Sequence, residues 1–153
     1  ILPEMILKDA NFVRIEKLNE TTALHAETLE IFKEDNVVFG SNVNFKAFDK
    51  NKKTIATGRT DLLKIDNRNF CYTMLNNANI KSIQTGMTLY SDCFKWNSKT
   101  NQLVSGKNNV VTVIKEPEKA GDAKFSASGT GFVFSGLSLQ FAFNGKTTGK
   151  IEN

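Results

Sequence analysis

One imidazole, three regularly placed carboxylates, two thiols and a glycine pair are the residues of this chain whose types could do chemistry. His25 is the only histidine. An imidazole can act as a general base, but a triad also needs a nucleophile and an orienting group beside it. His25 lies inside a strand pattern with no serine or cysteine partner next to it. It is therefore read as an exposed or half-buried strand residue, and no catalytic residue is assigned. Glu27, Asp61 and Asp92 recur in like contexts and could in principle stack into a calcium ladder. The Asp/Asn/Gly ligand loop of calcium-binding repeats is missing, so neither a metal nor a cofactor is expected. These acids share the parity of the apolar residues that follow them and are expected to cap the rim of an apolar trough on that same face. Gly129-Thr130-Gly131 looks like a phosphate loop in composition alone. A strand, Phe132-Val133-Phe134, follows it instead of a helix with an anion-binding N-terminus. It is read as a kink or bulge that re-aims a strand.

The elements that position these residues repeat along the chain. His25 to Phe32, Arg59 to Asp66 and Tyr90 to Asn97 each carry a small residue, an acid, any residue, a large apolar one, a polar one and another large apolar one. Each is followed by a turn rich in Asn, Asp, Lys and Ser, and a looser fourth copy runs from Ala127 to Gly136. The anchors Phe32, Ile65, Trp96 and Phe134 recur at intervals of 33, 31 and 38 residues. Self-similarity on this scale marks a stacked or rolled β architecture built from one repeating hairpin. With no recurring nucleophile or ligand, it points to a shaped surface and not to an enzyme.

Nearly all of the chain reads as strand, with turn signals at the spacing of sandwiches and barrels. Strands are expected over residues 5–18, 22–32, 37–48, 54–65, 70–75, 80–83, 87–96, 103–105, 110–114, 124–134, 137–143 and 147–151. Residues 67–69, 106–109 and 144–146 read as hairpin turns because Asn and Gly tolerate positive φ. Residues 115–122 read as a polar loop, and 50–53 (Lys-Asn-Lys-Lys) as a solvated hairpin tip.

At 153 residues, with 24% charged and 40% apolar content, the chain reads as one soluble domain spanning 1–153. A net charge of +4 with acids spread among the lysines argues against nucleic acid as a partner. No apolar run approaches the length of a spanning helix. The chain begins Ile1-Leu2-Pro3, and an N-terminal anchor or signal is expected to precede it. Cys71 and Cys93 leave a disulfide and two free thiols both open. The apolar face likewise leaves two readings: a filled core, which is the simpler, or a partly open trough able to take an acyl chain.

Several segments resemble a known family. Ala127-Ser128-Gly129-Thr130-Gly131-Phe132-Val133-Phe134, with Gly149-Lys150-Ile151 after it, resembles the closing motif of LptC-type proteins of the OstA-like superfamily. These are periplasmic components of lipopolysaccharide export. Thr88 to Asn97 is similar to the family's strand–acid–apolar–Trp element, and Leu103-Val104-Ser105-Gly106 to the turn after it. Asn79-Ile80 and Asn109-Val110 stand where the family places strand starts. The resemblance implies a twisted, half-open antiparallel β-jellyroll, the β-taco. It also implies a non-enzymatic carrier in the periplasm, tethered to the inner membrane by an N-terminal helix. Such a carrier takes lipopolysaccharide or another glycolipid from an inner-membrane ABC transporter. It passes the lipid to a homologous β-jellyroll bridge protein joined by edge-strand addition.

The lipid-facing residues implied are Leu29, Ile31, Val43, Phe45, Leu63, Ile65, Tyr72, Met74, Ile80, Phe94, Trp96, Val110, Phe132, Phe134, Leu139, Phe141 and Phe143. Two alternatives accompany this reading. One is a soluble bridge protein of the same superfamily; the other is a filled β-sandwich serving adhesion or protein interaction.

Overall fold

The computed structural model describes residues 2–136 and 139–153, and no helix occurs among them. Strands make up 69% of the described residues. In order they are β1 (Met5–Glu16), β2 (Asn19–Phe32), β3 (Val37–Phe48), β4 (Thr54–Asp66), β5 (Cys71–Ser82) and β6 (Met87–Asn97). Six shorter ones follow: β7 (Gln102–Ser105), β8 (Val111–Lys115), β9 (Lys124–Gly129), β10 (Phe132–Ser135), β11 (Gln140–Phe143) and β12 (Thr147–Glu152). All pair antiparallel in one open sheet, ordered β1-β2-β3-β4-β5-β6-β7-β10-β11, with β8 on β6 and β9 between β8 and β12. This is the all-β, half-open, twisted architecture of β-taco type expected from the sequence.

The pairing becomes simple once β6 is divided. Its residues 87–90 pair with β8 and its residues 94–97 with β7. β7 and β8 are thus two halves of one pass, as are β9 with β10 and β11 with β12. Counted this way the chain is a meander of nine passes, each beside its sequence neighbour. The sequence repeat of some thirty residues is two passes.

A crease crosses all nine passes and divides the sheet into two leaves. Inward residues on β2 are Leu24 and Ala26, then Leu29 and Ile31; on β3 they are Val38 and Gly40, then Val43 and Phe45. On β4 they are Thr60, then Leu63 and Ile65; on β6, Leu89 and Ser91, then Phe94 and Trp96. Each of these strands changes parity once, because its residues turn over at the crease. β5 takes two residues to cross, so Tyr72 and Met74 keep the parity of Ala78 and Ile80.

Backbone geometry marks the same row. Asp9 (φ 49°), Asn42 (φ 47°), Asn76 (φ 63°) and Asn77 (φ 50°) are left-handed on β1, β3 and β5, a region Asn and Asp enter with less steric cost than other L residues. The even-numbered passes place Glu27, Asp61 and Asp92 in that row. Asn42 Nδ2 donates to Glu27, Asn77 Nδ2 donates to Asp61 (2.8 Å), and the Asn77 N–H donates to Asp92 (3.0 Å). The acids therefore stand outside the crease, bonded to its asparagines. They do not cap a rim on the apolar face, because the change of parity falls between each acid and the apolar residues after it.

On the inner side of the crease the residues are small and buried: Ala10, Ala26, Val43, Thr60, Ala78 and Ser91. Small side chains let the leaves converge. Thr60 Oγ1 lies 2.9 Å from the carbonyl oxygens of both Leu62 and Leu75, the pair that follows the register shift between β4 and β5.

Beyond β6 the passes break at this row. Residues 106–110 join β7 to β8, and Gly131 (φ 64°) lies between β9 and β10. Asn144 and Gly145 donate their N–H groups to the carbonyls of Gly131 (2.9 Å) and Thr130 (3.0 Å). Segments 106–109 and 144–146 are thus crossings between leaves, not hairpin turns. Segment 124–134 is two strands kinked at the glycines, while 70–75 and 80–83 are one continuous strand with Asn79-Ile80 inside it. Leu137 and Ser138, the start of another expected strand, lie outside the described residues.

Cys71 is paired with Asn97 and Cys93 with Leu75 across β5 and β6. Four residues of strand separate them, about 13 Å at a strand's rise, which is beyond disulfide reach. Both thiols are free.

The crease gives a test. Replacing Asn77 by Ala removes the side-chain hydrogen bond to Asp61 and puts a less tolerant residue in the left-handed region; we expect about 2 kcal/mol of destabilisation in urea melts. Asn77→Gly keeps the backbone freedom and should lose about half as much.

Candidate functional site: a cavity between two leaves

Register aligns the inward residues into rows that run along the crease. One row on the first leaf is Ile31, Val38, Ile65, Tyr72, Trp96, Leu103, Phe134 and Phe141. On the second leaf, Phe12, Leu24, Phe45, Gly58, Ile80, Leu89, Val113 and Ala127 form another. The two rows make an apolar trough whose axis lies across the strands. Phe32 is not in it. It turns outward against Phe39, edge to face at 5.6 Å between centroids, and Ile31 holds the place of the first repeat's anchor.

Three stretches follow one another along the trough. At the β1 end, Arg14 of the second leaf reaches across to the first. Its Nη1 donates to Asn67 Oδ1 (2.8 Å), its Nε to Glu16 (2.9 Å), and its guanidinium lies over the Tyr72 ring, 5.6 Å from the centroid. This clasp joins the rims of the two leaves. Burial pushes the Tyr72 phenol above its ordinary value, and the Arg14 charge only partly opposes that.

At the far end the trough is filled. The Phe132 ring is fully buried and sits 6.4, 6.0 and 5.4 Å from Phe94, Phe141 and Phe143. Each such pair contributes about 0.5–1.5 kcal/mol beyond its buried area. Gly129 of the second leaf leaves room for Phe143, whose ring a Cβ there would meet at 2.8 Å.

Between the clasp and the plug lies a cavity of about 210 Å³. Leu63, Tyr72, Met74, Trp96, Leu103, Phe134 and Leu139 line it from the first leaf, and Leu24, Phe45, Ile80, Met87 and Leu89 from the second. No charged residue lines it; Thr22, Ser82, Gln84, Thr85 and Asn101 edge it. It is larger than the roughly 150 Å³ engineered cavity that stays dry and takes up benzene. Gly58 helps to keep it open, because the Phe45 ring lies flat where a side chain at that position would stand.

Of the lipid-facing residues expected, Phe45, Leu63, Tyr72, Met74, Ile80, Trp96, Phe134 and Leu139 line the cavity. Leu29, Ile31, Val43 and Ile65 belong to the packed core, and Phe94, Phe132, Phe141 and Phe143 form the plug. Val110 is a correction. It lies in the crossing before β8 and is 56% exposed, while Val111 and Val113 point inward in its stead. Leu24, Met87, Leu89 and Leu103 were missed. Their signal was present, since each is a large apolar residue in phase with its own half-pass. Among the described residues, no three of His, Cys, Asp and Glu come together as metal ligands. His25 is exposed on the outer face, 2.6 Å from Asp9.

Comparison with known proteins finds no family model and no curated protein that matches the chain.

The clasp carries a pH dependence. The phenol of Tyr72 is raised in the folded state, so its contribution is fully present below the unfolded value of about 10 and is lost as pH rises toward the folded one. We expect Tyr72→Phe to flatten the fall in urea-melt stability above pH about 10. An unchanged alkaline slope would contradict the assignment.

Proposed function

We propose that the chain is a lipid-carrying protein in which an acyl chain lies between the leaves, in the stretch between clasp and plug. The unfilled cavity with a wholly uncharged lining carries this reading. Each CH₂ moved from water into such a lining gains about 0.8 kcal/mol, and no charged side chain of the lining would be stranded by it. The neutral hydrogen-bonding side chains at the edge suit the junction of a chain with its headgroup.

The resemblance to LptC-type proteins supports a finer version. In it the cargo is lipopolysaccharide or a related glycolipid, received in the periplasm from an inner-membrane ABC transporter. Hand-over would go to a homologous bridge protein. Among the described residues, β1 at one side of the sheet and β11 with β12 at the other have no further strand beyond them. Such edges pair readily with another chain's strand, and pairing there would prolong the trough.

A photo-crosslinking residue at Phe45 should label bound lipid, whereas the same residue at Val110 should not. Met74→Trp, filling the cavity, should weaken uptake of a fluorescent acyl probe at least about tenfold while leaving the protein folded, since overpacking costs about 1–3 kcal/mol. A folded protein that takes up no probe, or takes it up equally after filling, rules the carrier out.

A further inference from the structure

A second row of side chains stands on the outer face of the second leaf. Asn11, His25, Asn44, Arg59, Asn79 and Tyr90 are paired neighbour to neighbour across β1 to β6. Odd-numbered passes supply a carboxamide, and even-numbered passes a flat group: imidazole, guanidinium or phenol. The first five line a groove of about 530 Å³ on this face. Tyr90, 45% exposed, stands just past it.

We propose that this groove binds a neutral, extended oligosaccharide, a role separate from that of the trough. Three features on this face favour such a ligand. The side chains of Asn11, Asn44 and Asn79 make no hydrogen bond among the described residues. A free carboxamide both donates and accepts, as a sugar hydroxyl does. The guanidinium and the imidazole in the row already have carboxylate neighbours: Arg59 Nη1 lies 3.1 Å from Asp61 and His25 Nε2 lies 2.6 Å from Asp9. A polyanion would meet those carboxylates, whereas a neutral polyol gains from both partners. Spacing is the third feature. Neighbouring strands lie about 4.8 Å apart, so the carboxamides recur about every 9.6 Å, close to the rise of a disaccharide in an extended β-linked chain. The flat groups between them offer stacking faces. Lys46 on the groove's flank is the cation left unmatched, which is why the test includes an anionic arm.

The experiment titrates cellohexaose and chitohexaose into the full chain, followed by calorimetry and by side-chain amide shifts. A heparin hexasaccharide is the anionic arm. Saturable binding of a neutral hexasaccharide is expected, with shifts of the Asn44 and Asn79 amides. Its affinity should hold from about 50 to about 500 mM salt, because no net charge is neutralised. Asn44→Ala and Asn79→Ala should each weaken it about five- to tenfold, whereas Lys95→Ala, outward on the other leaf, should not. Met74→Trp should leave sugar binding intact whatever it does to lipid uptake. The proposal is overturned if neither neutral hexasaccharide binds, or if the folded Asn variants bind as well as the parent. It falls equally if only heparin binds and salt abolishes that.

Discussion

A sheet can fold sharply onto itself only if its strands bend without leaving backbone groups unpaired, and this molecule meets that constraint at a single row. Left-handed residues on odd-numbered passes turn the strand over, and carboxylates on even-numbered passes accept the hydrogen bonds that result. A left-handed L residue costs about 1–2 kcal/mol, and a net hydrogen bond returns about 0.5–1.5 kcal/mol. Each bend is thus close to neutral. The packing of the leaves decides the balance, through small residues that let them meet at the crease.

From that row the interior widens outward, and what occupies it changes along its length. Four phenylalanines fill the stretch nearest β10 and β11, and Arg14 with Tyr72 and Asn67 closes the opposite end. The middle passes carry Gly58, Ala47 and Ala56 on the second leaf, too little volume to fill the space facing Tyr72 and Trp96. A filled sandwich and an open trough are therefore not exclusive descriptions. They apply to different stretches of one molecule, and the placement of Gly and Phe sets the boundary between them.

The repeat was legible in the sequence because two passes return the chain to the same rim, where a large apolar residue is needed each time. The crease was not. Leu24 differs in parity from Leu29 and Ile31, so the change of face was already written into β2. A period of two continued straight through Glu27 hides it. The same oversight put the acids on the apolar face. Asparagine misled for a related reason: its tolerance of positive φ serves tight turns and mid-strand bends alike. Residues 76 and 77 therefore read as the end of a strand, when they carry it across the fold. Val110 reads as inward because nothing in the sequence separates the crossing from the first residue of β8, Val111.

Because every pass pairs in the sheet only with the passes before and after it in sequence, the molecule behaves as a one-dimensional array. Inserting or deleting one hairpin unit would lengthen or shorten the gutter while leaving the cross-section of the rest unaltered. Duplication of a short gene segment could therefore tune the reach of such a protein without redesigning its core.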